Sequence, residues 1–172
     1  MTDGMVLRPS DGRRIEGSGM IVKIGAEKSQ HWSVFETQVM PGFDVGAHLH
    51  QGAEELFYIV EGELDLLAFE PQKRTPDNWR GWKSRDGAGV VRAGPGFIMF
   101  VPTKCPHAFF NPGTTPVRMI FLVSPPGHER YQQRMGELIS RGGPPDAQAV
   151  AKLRAEFDIE QLTPLIPGRA PG

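Results

Sequence analysis

The fold of this chain is decided by the stretch Pro41-Gly-Phe-Asp-Val-Gly-Ala-His-Leu-His-Gln-Gly-Ala-Glu-Glu-Leu-Phe-Tyr-Ile-Val-Glu-Gly62. A second stretch complements it: Gly94-Pro-Gly-Phe-Ile-Met-Phe-Val-Pro-Thr-Lys-Cys-Pro-His-Ala-Phe-Phe-Asn111. Together they contain His48, His50 and His107, and the first also contains adjacent glutamates at positions 54 and 55. Three imidazoles and one carboxylate form a mixed nitrogen and oxygen donor set that suits a divalent first-row metal. The two stretches therefore predict a metal site.

The spacing of the donors favours strands. Residues two apart on a strand point to the same face, so His48 and His50 can both point inward. Glu55 lies an odd number of positions after His50, so it reaches that face only if residues 51–53 form a turn or bulge. Alternation alone does not decide between Glu54 and Glu55, because residues 56–59 are apolar on both faces. Four ligands would leave a metal with open positions, as a catalytic site requires.

Composition restricts the class of protein. A chain of 172 residues is predicted to form one domain with a real core. Its 19 basic and 20 acidic residues nearly cancel, which gives no reason to expect nucleic acid or a membrane surface as a partner. The single cysteine excludes an internal disulfide framework. The N-terminus has no apolar signal-peptide core and no apolar run approaches membrane-spanning length, so a cytoplasmic location is predicted.

Short apolar segments separated by glycine and proline are typical of an all-β domain, an antiparallel barrel or sandwich. The predicted strands are residues 21–24, 32–40, 56–60, 64–69, 97–101, 108–110 and 117–123. Because residues 97–101 are apolar on both faces, they are predicted to form a central, buried strand. We expect residues 1–17 to form a loosely attached arm, residues 18–125 the barrel and residues 126–172 a helical extension packed on it.

The extension is predicted from a change of hydrophobic period. Its first helix has apolar residues at i, i+4, i+7 and i+8, namely Tyr131, Met135, Leu138 and Ile139. Residues 142–145, Gly-Gly-Pro-Pro, are expected to end it. Asp146 can cap a second helix, whose apolar positions are Val150, Leu153 and Phe157.

The two stretches that carry the donors resemble the sequence patterns of the cupins. The first cupin pattern is Gly, five residues, His-x-His, three or four residues, Glu, six residues, Gly, and it is matched here from Gly42 to Gly62. The second is Gly, five residues, Pro-x-Gly, two residues, His, three residues, Asn, and it is matched from Gly96 to Asn111. One position departs: Lys104 stands where the second pattern has glycine, which affects the expected local turn.

The resemblance implies a jelly-roll β-barrel. It selects Glu55 over Glu54, because the pattern places six residues between the ligand and Gly62. One divalent metal per chain (Fe, Mn, Ni, Cu, Co or Zn) would then be held by His48, His50, Glu55 and His107. The helical tail is similar to that of the quercetin dioxygenase-like branch, where the matching glutamate is suspected to leave the metal and act as a base. Glu55 is therefore the candidate catalytic residue, and a homodimer is the default expectation.

Other polar residues receive plainer interpretations. Asn111 is expected to shape the turn before Pro112, with ligand orientation as the alternative. Cys105 is expected to be a small buried neighbour of the site, with direct metal ligation as the less favoured alternative. His31 is expected on the surface, and a position of His128 at the barrel mouth is not favoured. Six apolar residues are candidates for a cavity wall, although most of them must also fill the core: Phe43, Phe57, Ile59, Met99, Phe109 and Met119. Residues 71–90 are expected to form a shielding loop or hairpin.

Three functional hypotheses follow. The first is a mononuclear metal oxygenase, dioxygenase-like, that acts on a small, partly hydrophobic organic substrate. The second is a metal-dependent isomerase, cyclase or decarboxylase that uses no O2. The third is a non-enzymatic module that binds a small molecule. The donor set is the same in the first two, so the sequence does not separate them, and fold alone does not fix function.

Overall fold

The computed structural model describes residues 3–139 and 146–168 and is mainly β within those ranges. Its strands are β1 (Arg13–Ile15), β2 (Met20–Ile24), β3 (Ser33–Val39), β4 (His48–Leu49), β5 (Glu54–Glu61), β6 (Leu64–Ala68), β7 (Val91–Ala93), β8 (Ile98–Val101), β9 (His107–Phe110), β10 (Val117–Ser124) and β11 (Glu160–Gln161). Its α-helices are α1 (His128–Ile139) and α2 (Ala147–Glu156). The predicted break at Gly142 lies outside the described residues.

The strands form two antiparallel sheets. One has the order β1-β2-β3-β10-β5-β8 and the other the order β11-β4-β9-β6-β7. Burial along β10 alternates at every residue, which is the period-2 pattern of a strand with one face on a core. Both sheets contribute to a single apolar core, which confirms the predicted jelly-roll fold with helices after the barrel.

An aromatic row fixes the register of three neighbouring strands. Phe121 on β10 lies opposite Phe35 on β3 and Phe57 on β5. Its ring centroid is 4.6 Å from that of Phe35 and 5.6 Å from that of Phe57, in stacked arrangements. A slip of one residue would move each ring to the opposite face, so burial of these rings specifies the pairing.

Strand β8 corrects the prediction of a central, buried strand. Among the described strands it pairs only with β5, and it forms the edge of the six-stranded sheet. Met99 and Val101 face the core, whereas Ile98 and Phe100 are 60% and 55% exposed. The segment is apolar on both faces because one face packs inside and the other forms part of an outer apolar surface.

Part of the predicted N-terminal arm belongs to the sheet. Residues 13–15 form β1, which pairs with β2, and Ile15 is buried. The turn after β1 touches helix α1 at two glycines. A Cβ on Gly17 would lie 2.6 Å from the carbonyl oxygen of Gly136, and one on Gly136 would lie 2.1 Å from the carbonyl oxygen of Glu16. Backbone therefore meets backbone at this contact, and no side chain would fit there.

Both helices pack on a second, smaller apolar cluster. It consists of Tyr131, Met135, Val150, Leu153 and Ile159. Asp146 caps α2 as predicted, with its side chain accepting a hydrogen bond from the backbone N–H of Gln148 at 3.2 Å. The chain then returns to the barrel, where β11 pairs with β4. Within the described residues, neither helix has the length and apolar character required to cross a membrane.

Residues 71–90 form a loop whose two tryptophans are buried. Trp79 and Trp82 are 1% and 3% exposed and belong to the main core. The indole N–H of Trp79 donates to Asp44 at 2.8 Å, and that of Trp82 donates to the hydroxyl of Thr75 at 2.9 Å. The rings are therefore packing elements of the main core.

Candidate metal centre and cavity

The structure brings the four predicted ligands together. His48 lies on β4 with His50 directly after it, Glu55 lies near the start of β5 and His107 begins β9. His48 and His107 are direct cross-strand partners. One donor atom from each of the four buried side chains lies within 4.8 Å of the others. The two sheets thus bring residues that are up to 59 positions apart into one potential metal site, with the histidines on or beside strands of one sheet and Glu55 on a strand of the other.

A bend between β4 and β5 places the glutamate. The chain bends at Gln51 and Gly52, as the parity of the spacing requires. The Asp158 carboxylate holds the bend, accepting hydrogen bonds from the backbone N–H of Gln51 at 3.1 Å and of Gly52 at 2.8 Å. Glu55 consequently points inward and is 4% exposed, whereas Glu54 is exposed. The structure therefore separates the two glutamates that alternation left open.

Each histidine of the site is oriented by a backbone carbonyl. The Nδ1 atoms of His48, His50 and His107 lie 2.9, 3.0 and 3.0 Å from carbonyl oxygens. These belong to Gly46, Asp158 and Cys105. A carbonyl only accepts, so each Nδ1 carries a proton, and in the neutral ring each Nε2 presents a lone pair. This is the arrangement that metal-binding histidines require.

The atoms that converge are acceptors without donors. Glu55 Oε2 lies 2.7 Å from Nε2 of His107 and 3.4 Å from Nε2 of His50. None of these three buried atoms has a hydrogen-bond partner of suitable geometry among the described residues. Buried polar groups are rarely left in this state. A divalent cation among them would satisfy all three, so the residues fit the predicted metal.

Protonation in the metal-free site follows from burial and from the mutual charges. Burial, with a further contribution from His107, lowers the pKa of His48 well below its ordinary value. Burial raises the pKa of Glu55, but His107 and His50 lower it by more, so it lies well below its usual range. Burial lowers the pKa of His50, whereas Glu55 and Asp158 together raise it by more, so the net shift is upward. Glu55 is therefore anionic, and His50 must lose any bound proton before it binds a metal.

A cavity of about 660 Å³ opens onto His48 and Glu55. Much of its wall is apolar, and the predicted wall residues Phe43, Phe57 and Phe109 line it. The other candidates, Ile59, Met99 and Met119, are buried in the core and are not among the lining residues. They point inward like the wall residues, but their strand positions lie in the packed part of the barrel.

The helices add polar side chains to the cavity wall. His128, Tyr131 and Gln132 of α1 and Arg154 of α2 all line it. His128 therefore lies at the cavity, a position that the sequence interpretation did not favour. Burial lowers its pKa to about 4, and its ring centroid lies 6.1 Å from that of His50. The amide of Gln132 lies 3.0 Å from Nε2 of His128 and can donate to it.

Arg154 is a cavity residue that the sequence interpretation missed. It is 2% exposed, its Nε donates to the Tyr131 hydroxyl at 3.1 Å, and Nη1 donates to the Val45 carbonyl at 3.3 Å. A signal did exist: Arg154 lies at i+4 from Val150 and directly after Leu153, on the face that was assigned to the core. An arginine on such a face indicates a buried charge.

The remaining candidates have structural roles. The Asn111 amide donates to the carbonyls of Val39 and Thr115 at 2.8 and 2.9 Å, and its side-chain oxygen accepts from Gly113, as expected of a turn residue. Cys105 is half-buried and lies outside the donor cluster. His31 is on the surface.

Lys104 adopts the conformation for which the cupin pattern has glycine. Its φ of 64° is in the left-handed region. Its backbone N–H donates to the carbonyl of His50 at 2.6 Å, so this turn directly supports the segment that carries a ligand. The departure from the pattern thus leaves the turn in place and puts a side chain on a strained position.

Comparisons with known proteins agree with this architecture. The family model described as Cupin matches residues 23–138. No curated protein matches the sequence. Among solved structures, BH2720 from Bacillus halodurans matches with a TM-score of 0.52 and 15% identity, over 74% of this chain and 85% of that one. KdgF from Halomonas sp. matches with a TM-score of 0.51 and 15% identity, over 71% and 94%.

A third solved structure is that of the polyketide cyclase RemF from Streptomyces resistomycificus. It matches with a TM-score of 0.51 and 18% identity, over 71% of this chain and 80% of that one. Likeness at these identities shows the fold alone. The family model covers most of the barrel and the first helix, including both stretches that carry the donor cluster. This chain belongs to the cupin family.

Proposed function

We propose that this cupin is a metal-dependent enzyme, a mononuclear oxygenase that acts on a small, partly hydrophobic organic substrate. The observation that carries the proposal is the position of the donor cluster: its lone pairs converge beside a largely apolar cavity of about 660 Å³. That volume lies within the usual range for small-molecule sites. A purely structural metal site would have no need of an adjoining cavity.

Some residues of the chain would hold a charged metal ion, and others would form an apolar surface for the substrate. A divalent transition metal, when bound, supplies Lewis acidity and redox chemistry to the cavity. Three neutral imidazoles and the Glu55 carboxylate leave one net positive charge on such an ion, which favours a substrate with an anionic oxygen. Phe57, Phe109 and Phe121 exclude water and offer aromatic surface to the substrate. The oxygenase assignment also rests on the likeness of the helical tail to the quercetin dioxygenase-like branch.

A second candidate is a metal-dependent isomerase, cyclase or decarboxylase without O2. The position of His128 favours it, because this imidazole lines the cavity near His50 and is held by Gln132. With its pKa lowered by burial to about 4, His128 is neutral at pH 7; while its Nε2 accepts from Gln132, its Nδ1–H can donate a hydrogen bond to a substrate oxygen. Reactions of this class need such polarisation of a substrate oxygen and need no oxidant.

Metal analysis followed by oxygen uptake tests the proposal. Protein purified anaerobically should contain near-stoichiometric redox-active metal, with O2 consumed when aromatic or enolisable substrates are added. Glu55→Gln should lose this activity, and the exposed neighbour variant Glu54→Gln should keep it. Turnover that continues without O2 would support the second candidate. A wild-type site that refuses added metal would overturn both.

We also propose that the protein is a homodimer. The outer face of β5 and β8 is apolar at adjacent positions, where Tyr58 pairs with Ile98 and Leu56 pairs with Phe100. Tyr58 and the two β8 residues are 38%, 60% and 55% exposed. An apolar patch on a free sheet edge favours association. Light scattering should give a dimer mass for the wild type and a monomer mass for Ile98→Lys/Phe100→Lys; a monomeric wild type would contradict the proposal.

A further inference from the structure

We propose that Arg154 binds a carboxylate of the substrate and so sets the substrate class: a monocarboxylate with an apolar body. The inference rests on the proposed function insofar as it takes the cavity to be the substrate site. Arg154 is 2% exposed, yet it is one of the residues that line the cavity. Arg154 is thus withdrawn from bulk solvent and borders the cavity.

The charge of Arg154 has no counter-charge in the described structure. The two hydrogen bonds that it makes go to neutral acceptors, the Tyr131 hydroxyl and the Val45 carbonyl. Among the described residues, no carboxylate forms an ion pair with it. A guanidinium has five N–H donors, so donors remain for a ligand. An uncompensated buried charge is costly, and an anionic ligand would remove that cost.

The surroundings favour a carboxylate over a phosphate. Arg154 is the only lysine or arginine among the residues that line the described cavity, and the anionic Glu55 in the same lining is assigned to the metal, so a single negative charge of a ligand is matched at Arg154. The planar guanidinium and the planar carboxylate can form two parallel hydrogen bonds. Met20, Phe43, Val45 and Phe121 offer the rest of the substrate an apolar surface. The expected substrate therefore has an anionic head at Arg154, an apolar body and a second oxygen at the metal site.

Binding of two matched probes tests this inference without turnover. The probes are 4-phenylbutyrate and its neutral analogue 4-phenylbutanamide, measured by calorimetry on the purified full-length protein. Wild type should bind the carboxylate roughly tenfold or more tightly than the amide, as expected for one charge-assisted hydrogen-bond pair. Arg154→Gln should lose this preference. Lys152→Gln, which removes an exposed cation of the same helix, should keep it.

Arg154→Lys covers the case in which the glutamine variant does not fold. Lysine retains the positive charge but cannot form two parallel hydrogen bonds with a carboxylate. The preference for 4-phenylbutyrate should therefore be smaller than in the wild type but still measurable. If the preference survives Arg154→Gln but disappears in His48→Ala, the carboxylate binds the metal, and the inference is overturned while the metal site stands. Equal binding of the two probes by wild type also overturns it. A missing metal with an Arg154-dependent preference would instead contradict the proposed function alone.

Discussion

The cavity has two walls of different origin. The barrel wall carries the donor cluster, and a backbone carbonyl orients each of its histidines: those of Gly46 and Cys105 in barrel loops and that of Asp158 in the segment after α2. The helical wall carries Arg154, Tyr131, His128 and Gln132, which are held mainly by one another's side chains. A side chain that is oriented by a backbone carbonyl keeps its partner when the partner residue is substituted, because every residue has a carbonyl. A side chain that is oriented by another side chain loses its partner when that residue is substituted. The barrel is thus suited to fixed chemistry and the helices to variable recognition.

The largest expected effect is the loss of metal binding when a donor on the barrel wall is mutated. We expect His48→Ala to lose most of its bound metal, because one of the four donors is removed from a buried site. Elemental analysis after purification measures this directly. His31→Ala, at an exposed histidine outside the cluster, is the control and should bind metal like the wild type. Equal metal content in His48→Ala would disprove the assigned site.

A smaller effect is expected at the bend that supports the ligands. Asp158→Asn retains one carboxylate-like oxygen and replaces the other, which accepts from Gln51 or Gly52, with a donor. Metal affinity should fall by about tenfold, as is usual when a residue that orients metal ligands is altered. Competition with a chromophoric chelator gives the affinity. Glu156→Gln on the exposed end of α2 should leave it unchanged.

On the helical wall, His128 should govern stability at acidic pH. Its pKa is about 4 in the folded protein against about 6.5 when unfolded. The folded state therefore binds fewer protons in that window, and stability falls as the pH drops through it, by up to about 3 kcal/mol for this group. Urea unfolding of metal-free protein at pH 7 and pH 4.5 should show a smaller loss for His128→Gln than for wild type. His31→Gln should behave like wild type.

The smallest expected effect concerns Lys104, on the barrel side. Lys104→Gly should raise the free energy of unfolding by up to about 1 kcal/mol, because glycine adopts the left-handed conformation without strain. Metal content should not change. Lys104→Ala removes the same side chain without relieving the backbone, so it separates the two effects. A gain of equal size in both variants would show that the lysine side chain, and not φ, is the cause.

The same contrast explains what the sequence could predict. The donor cluster follows from two local patterns, because strand alternation and one bend are enough to place His48, His50 and Glu55 together. The helical wall depends on how α1 and α2 dock, which no local pattern reveals, so Arg154 was missed. The error over β8 has another cause. A strand that is apolar on both faces can lie between layers or carry an outer apolar patch, and the sequence of residues 97–101 is compatible with both arrangements.

The hydrogen bond from His50 to the carbonyl of Asp158 joins positions 108 residues apart, and it has a thermodynamic consequence. If docking of the C-terminal segment 146–168 increases the affinity for metal by a certain free energy, bound metal stabilises the docking of that segment by the same amount. Metal binding would then be detectable away from the metal site, as slower proteolysis and slower amide exchange around α2 and β11. The tail would thus act as a reporter of the metal site as well as a wall of the cavity.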